Sequence, residues 1–110
     1  MRHKYRAVPT IIDGIRFDSK RESQIYCELK ILARANKINA LEVHPRLDLH
    51  TTGMDGIKRK IGCAEFDFAY WDCERKERVW VDVKGFDPPM SKWKRKHTEA
   101  EHGIKITIRK

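Results

Sequence analysis

Apolar positions along the chain recur with two different periods, and the switches between them mark out its elements. Thr10-Ile11-Ile12 and Ile15-Arg16-Phe17 flank Asp13-Gly14. That dipeptide suits the positive φ angles of a tight turn, so the spacing predicts a hairpin. Helical spacing follows. Ile25, Leu29 and Leu32 fall on one face, Ser19 and Glu22 have the S-x-x-E spacing of a capping box, and Asn36 is the expected stop. A helix is therefore predicted from Ser19 to Ala35. One turn back from Ile25 lies Glu22, so an acid ends the apolar stripe.

From Leu41 the period shortens to that of strands. Strands are predicted over Leu41–Leu49, Lys60–Trp71 and Arg78–Lys84, joined as an antiparallel meander. Pro45 should disturb the first or place part of it at an edge. Gly53 and Asp55-Gly56 mark one turn, and the polar run Asp72–Glu77 the next. Phe86-Asp87-Pro88-Pro89 cannot lie in mid-helix. Beyond it Ser91 can cap a second helix reaching His102, with Gly103 as its stop and Trp93, His97 and Ala100 as its inner stripe. Ile104–Ile108 reads as a last strand. Hairpin, helix, three strands, helix and strand indicate a mixed α/β fold, and 110 residues leave room for one domain spanning 1–110.

Charge narrows the partners. Lys and Arg total 24 against 16 Asp and Glu, a net +8. An anionic partner follows, and nucleic acid is the first candidate. Three Trp, three Tyr and four Phe argue against disorder. The longest apolar run is Phe68–Trp71, far short of the ~20 residues of a membrane span, so no membrane partner is expected. Met1–Arg6 has no apolar stretch of the secretory kind. Cys27, Cys63 and Cys73 are odd in number and form no C-x-x-C, which favours partly buried, reduced thiols over a zinc site. His44, His50, His97 and His102 show no pairing that suggests general base work.

The chemistry concentrates in Val79-Trp80-Val81-Asp82-Val83-Lys84-Gly85. Strand side chains alternate, so the three valines face a core and Trp80, Asp82 and Lys84 face away from it. In the strand before, Phe66, Phe68 and Tyr70 share one face, and Glu65, Asp67 and Ala69 the other. Asp67, Asp82 and Glu65 then look out on one side beside Lys84, and Glu22 can join them from the first helix. Converging carboxylates repel unless a cation sits among them. Oxygen ligands suit Mg²⁺, with Mn²⁺ able to substitute. A divalent cation beside phosphate, with Lys84 to orient a water or stabilise developing charge, suits phosphodiester hydrolysis.

Three blocks in order, Asp13–Glu22, Asp67–Tyr70 and Val81–Phe86, resemble phage-encoded PD-(D/E)XK nucleases, and the likeness runs from about Tyr5 to Ile106. The resemblance implies a restriction-endonuclease-like core, a mixed sheet with flanking helices, and metal-dependent cutting of DNA to a 5′-phosphate and a 3′-hydroxyl. It implies Asp67, Asp82 and the carbonyl of Val83 as metal ligands. Glu22 would hold a second metal or its water, and Lys84 would assist the nucleophile. Phe66 stands where the signature has proline. Glu65 is a second acid beside Asp67, which leaves open which of the two binds metal. Within the superfamily the chain is most similar to the phage Holliday-junction resolvases of the endonuclease I type. These are small, basic homodimers, which would make branched DNA the substrate and the cytoplasm, that of the host cell for a phage protein, the place of action.

Each residue also has a plainer reading. Glu22 serves equally as half of a capping box, Asp82 and Lys84 as a surface ion pair, and Trp80 and Trp93 as core. Lys92, Lys94, Arg95 and Lys96 open the second helix and can meet a DNA backbone without reading sequence. Lys58-Arg59-Lys60 forms either a flexible arm on DNA or a solubilising loop. Lys20 and Arg21 lie at the first helix entry, within reach of phosphate near the metal. The alternatives to a nuclease are a non-catalytic basic DNA-binding module and an accessory protein that recruits a partner through its Trp-bearing helix.

Overall fold

The computed structural model describes residues 9–85 and 87–110, so Met1–Arg6, and Phe86 of the third block, lie outside the described residues. Strands β1 (Thr10–Ile12) and β2 (Ile15–Phe17) pair antiparallel across Asp13-Gly14, both at positive φ (54° and 77°) as the turn requires. Helix α1 (Lys20–Arg34) starts where expected. The Glu22 N–H donates to Ser19 Oγ at 3.1 Å, and Asn36 closes the far end at φ 60°. Its buried face carries Ser23, Ile25, Tyr26 and Leu29. Leu32, expected on that stripe, lies at the exposed margin, and Tyr26 takes the inward place.

The strand region departs from a three-strand meander. β3 (Ile38–Val43) and β4 (Arg46–Thr52) replace the single strand predicted over Leu41–Leu49. β5 (Lys58–Glu65) and β6 (Phe68–Asp72) likewise replace Lys60–Trp71. The two long strands still run antiparallel side by side, but both bend at the same level. His44 takes φ 57°, and Pro45 has no N–H to give to a ladder. Opposite them Phe66 N–H bonds the Pro45 carbonyl (2.9 Å), and His44 N–H bonds the Asp67 carbonyl (3.0 Å). Pairing thus crosses the corner while the chain passes from one sheet to another: β4-β5 forms a two-stranded ribbon, and β3-β6-β7-β8 a four-stranded sheet. Glu65 and Asp67 therefore do not share a strand face. They lie on either side of the corner.

β7 (Glu77–Val83) pairs antiparallel with β6, and α2 (Pro89–His102) then crosses over to β8 (Ile106–Arg109), which pairs parallel with β7. The fold is α/β, a mixed sheet with two helices. α2 begins at Pro89 and not at a Ser91 cap, because a proline in the first turn loses no hydrogen bond. Gly103 ends it at φ 63°.

The four-stranded sheet is buried on both faces. Phe17, Ile25, Leu29, Phe68, Val79 and Val81 lie against α1 and the β1-β2 hairpin. On the other side Leu49, Ala64, Phe66 and Ile106, with Trp80 packed on them, form a second core under the ribbon. Val79 and Val81 in one core and Trp80 in the other match the alternation expected of this strand. The inner stripe of α2 does not match. Thr98 is its buried residue, whereas Trp93 is 74% exposed and Ala100 also faces outward. Helix α2 is tied to the ribbon by Glu101. This carboxylate accepts from the His50 backbone N–H (2.6 Å) and lies at 2.7 Å from His50 Nδ1 and 3.1 Å from His97 Nε2. Among the described residues, no helix is long and apolar enough to cross a membrane.

Candidate active site

The corner in the two long strands and the C-terminal end of β7 meet, and the acids gather there. Asp67 is at the centre. Its N–H donates to the Val81 carbonyl (3.0 Å), and its Oδ2 accepts from the Val83 N–H at 2.6 Å. These two bonds fix the carboxyl against the end of β7. Glu22 reaches it from the first turn of α1, where it also keeps a 3.3 Å contact with Ser19 Oγ. Capping and site placement are thus combined in one side chain. Glu22, His44 and Asp67 each present a ligand atom within 4.8 Å of the other two.

Asp82 approaches Asp67 from β7, so that the carboxyls of Asp67, Asp82 and Glu22 act on one another electrostatically. Burial first, and then the charge of Glu22 on Asp67 and of Asp67 on Asp82, push both aspartates up to about 6, against the lowering effect of the Val83 N–H on Asp67. Glu22 is raised as well, mainly by burial. Lys84 Nζ lies 3.6 Å from Asp82 Oδ2 and opposes the rise at Asp82. Asp82 and Lys84 open into a pocket of about 140 Å³, completed by Glu65 and by Ser91, Lys94, Arg95 and Thr98 of α2. Cationic and anionic side chains thus face one small space.

The expected acids do not all join the cluster. Glu65 is an exposed residue of β5, 3.8 Å from Arg46, and reaches only the pocket. Asp67, not Glu65, is the acid held against β7. His44 belongs to the cluster although no pairing marked it in the sequence. The signal available was its place before Pro45 in an interrupted strand, where the backbone turns the side chain out of the strand's alternation.

The bases divide. Lys92, Lys94 and Lys96 are exposed on α2. Arg95 turns inward and pairs with Asp87 at 2.5 Å, near Asp82. Lys58, Arg59 and Lys60 belong to β5, paired with Thr52, Thr51 and His50, and so form neither an arm nor a loop. Arg59 bonds Asp55 (2.6 Å) and Lys60 lies 3.3 Å from Asp48. Lys20 opens α1, and Arg21 donates to the Lys110 carbonyl (2.7 Å). Cys27, Cys63 and Cys73 are free thiols; Cys27 is exposed and not half-buried, and Cys63 Sγ accepts from Arg46 at 2.8 Å.

No curated protein and no solved structure matches the chain. Residues 2–108, which include every acid of the cluster, match the family described as protein of unknown function (DUF1064). The chain belongs to that family.

Proposed function

We propose that the chain is a metal-dependent DNA endonuclease with a restriction-endonuclease-like core, acting on branched DNA as a homodimer. The observation that carries this reading is the setting of Asp67. It is bonded to the Val83 N–H while in reach of Glu22, His44 and Asp82, with Lys84 beside Asp82.

Three carboxyls held this close, and half-buried, are harder to ionise when no cation is present. That is the behaviour of a site whose charge a divalent ion would balance. Asp67 and Asp82, with the Val83 carbonyl, would hold Mg²⁺, and Glu22 would hold a second ion. His44 adds a nitrogen donor, which Mn²⁺ accepts more readily than Mg²⁺. Such an ion supplies charge neutralisation at the phosphate and a lower pKa for water.

The remaining work belongs to side chains. Lys84, at the mouth of the pocket, orients the attacking water and faces the charge that develops on phosphorus-bound oxygens. Asp67 stays fixed through its bond from Val83, so its carboxyl does not reorganise during the reaction. Arg95, held by Asp87, keeps a positive charge on the wall facing Asp82. Lys92, Lys94 and Lys96 grip the flanking phosphates without reading bases.

The test is a cleavage assay on four-way junction, plain duplex and single-stranded DNA, with Mg²⁺ or Mn²⁺. Cutting that falls by ~100-fold or more in Asp82→Ala and Lys84→Ala is expected. Binding without cutting under either ion would leave the basic DNA-binding module as the answer. Equal rates on junction and duplex would remove the preference for branches.

A further inference from the structure

Trp93 is the feature that the proposed chemistry leaves unused. It projects from α2 with 74% of its surface exposed, and Met90, one turn earlier on the same face, is 78% exposed. With Ile61 of β5, itself 57% exposed, they edge an apolar groove of about 360 Å³ between α2 and the ribbon. Lys94 lines both this groove and the pocket that holds Asp82 and Lys84, so the two recesses adjoin. Exposed Lys92 and Lys96 flank the indole along the helix.

Protein-docking faces are depleted in lysine around their apolar centre. An aromatic ring set among lysines is what a phosphate-linked base requires, because the ring meets the base while the cations meet the chain. In a paired duplex both faces of every base are already stacked. Only an unpaired or displaced base can offer a free face to the indole.

We propose that Trp93, backed by Met90, stacks on an unpaired base beside the cleaved phosphate, so that the chain selects DNA carrying unstacked bases next to the site. The place of the ring beside a cleaved phosphate rests on the nuclease reading, but the stacking itself can be measured without cutting.

The test uses the full chain without divalent metal. The probes are a duplex bearing 2-aminopurine in a three-base bulge and the same duplex fully paired. Stacking on the indole should quench the bulged probe. Trp93→Ala should weaken binding to bulged DNA by about 5- to 150-fold, the range of a single base–aromatic stack, with paired duplex changed less than about twofold. Trp93→Phe should recover most of the loss, and Trp71→Phe, at a less exposed tryptophan, should change neither affinity nor quenching. Equal weakening on both probes, or no weakening on either, overturns the proposal. So does an unchanged affinity accompanied by loss of self-association, which would make the groove a contact between copies. In Mg²⁺ the two readings separate. Trp93-dependent binding with no cutting sinks the nuclease and leaves the platform. Cutting whose bulge preference survives Trp93→Ala sinks the platform alone.

Discussion

Asp67 and Asp82 show how one residue can serve a site at the expense of the fold. Burial above all pushes both up to about 6 in the folded chain, from an ordinary value of 3.8. The folded state therefore binds protons more tightly than the unfolded state between those values. Stability from this pair is fully present below pH ~3.8 and is lost as pH rises through about 6. Without metal, thermal scans should show a melting temperature that falls between pH 5 and pH 7.5, and Mn²⁺ at pH 7.5 should restore it by binding only the folded state. Asp67→Asn can still accept from the Val83 N–H but carries no charge. It should raise the metal-free melting temperature at pH 7.5 by a few degrees, flatten its pH dependence and abolish the response to Mn²⁺. A variant that melts lower at pH 7.5 than the wild type would show that the carboxylate is not strained by its neighbours. The same titration predicts metal affinity that rises across pH 6, since ligand carboxyls must lose their protons first. His44→Ala should weaken Mn²⁺ more than Mg²⁺, as read by calorimetric titration.

At the scale of elements, α1 joins stability to function through its first turn. Ser19→Ala removes the acceptor for the Glu22 N–H and the 3.3 Å contact to the Glu22 carboxyl. It should cost about 1 kcal/mol in urea unfolding. It should also slow any cleavage beyond what that loss explains, because Glu22 is no longer held in place. Leu29→Ala, on the buried face of the same helix, should cost about 2–5 kcal/mol and leave metal affinity unchanged.

The elements also show what was legible in the sequence. The β1-β2 turn, the span of α1 and the opposite burial of Val81 and Trp80 follow from local rules: positive φ at Asp13-Gly14, a cap at Ser19, and strand alternation. The corner at His44-Pro45 does not. Pro45 signalled a disturbance, but that both strands bend together depends on the Phe66 N–H meeting the Pro45 carbonyl across the ladder. That bend separates Glu65 from Asp67 and brings His44 to Glu22, so the one unread tertiary contact decided the membership of the site. Helix α2 departs from its expected inner stripe for a similar reason. Its apolar residues, Met90 and Trp93, are the exposed ones, and its inner face is polar, with Thr98 Oγ1 bonded to the Lys94 carbonyl (2.7 Å) and Arg95 to Asp87. Periodicity assigns apolar residues to a core and has no means of recognising a helix that covers a charged pocket.

On the scale of the whole molecule, the net +8 resolves into bases with distinct tasks. Arg59, Lys60 and Arg95 are engaged with acids, whereas Lys92, Lys94 and Lys96 are exposed on α2, and Lys94 also lines the pocket. Converting these three lysines to Gln should weaken duplex binding at low salt and lower the slope of log K against log [salt] by about 2–3, as three phosphate contacts require. Converting Lys60, already paired with Asp48, should change the slope far less. The described chain spans 48 × 45 × 22 Å with a radius of gyration of 15.9 Å, against about 13 Å for a compact chain of this length. The proposed homodimer is tested at this scale. Light scattering on the junction complex should give the mass of the DNA plus twice the chain mass of 13.0 kDa.

The proposal that these acids cut DNA stands or falls on one comparison: the single-turnover rate on a labelled four-way junction, in Mg²⁺ or Mn²⁺, for wild type and Asp82→Asn at equal DNA occupancy. Metal-dependent cutting by the wild type, leaving 5′-phosphate ends and reduced ~100-fold or more in the variant, is the expected result. Equal rates in the two proteins, or bound junction that neither protein cuts with either ion, would contradict it.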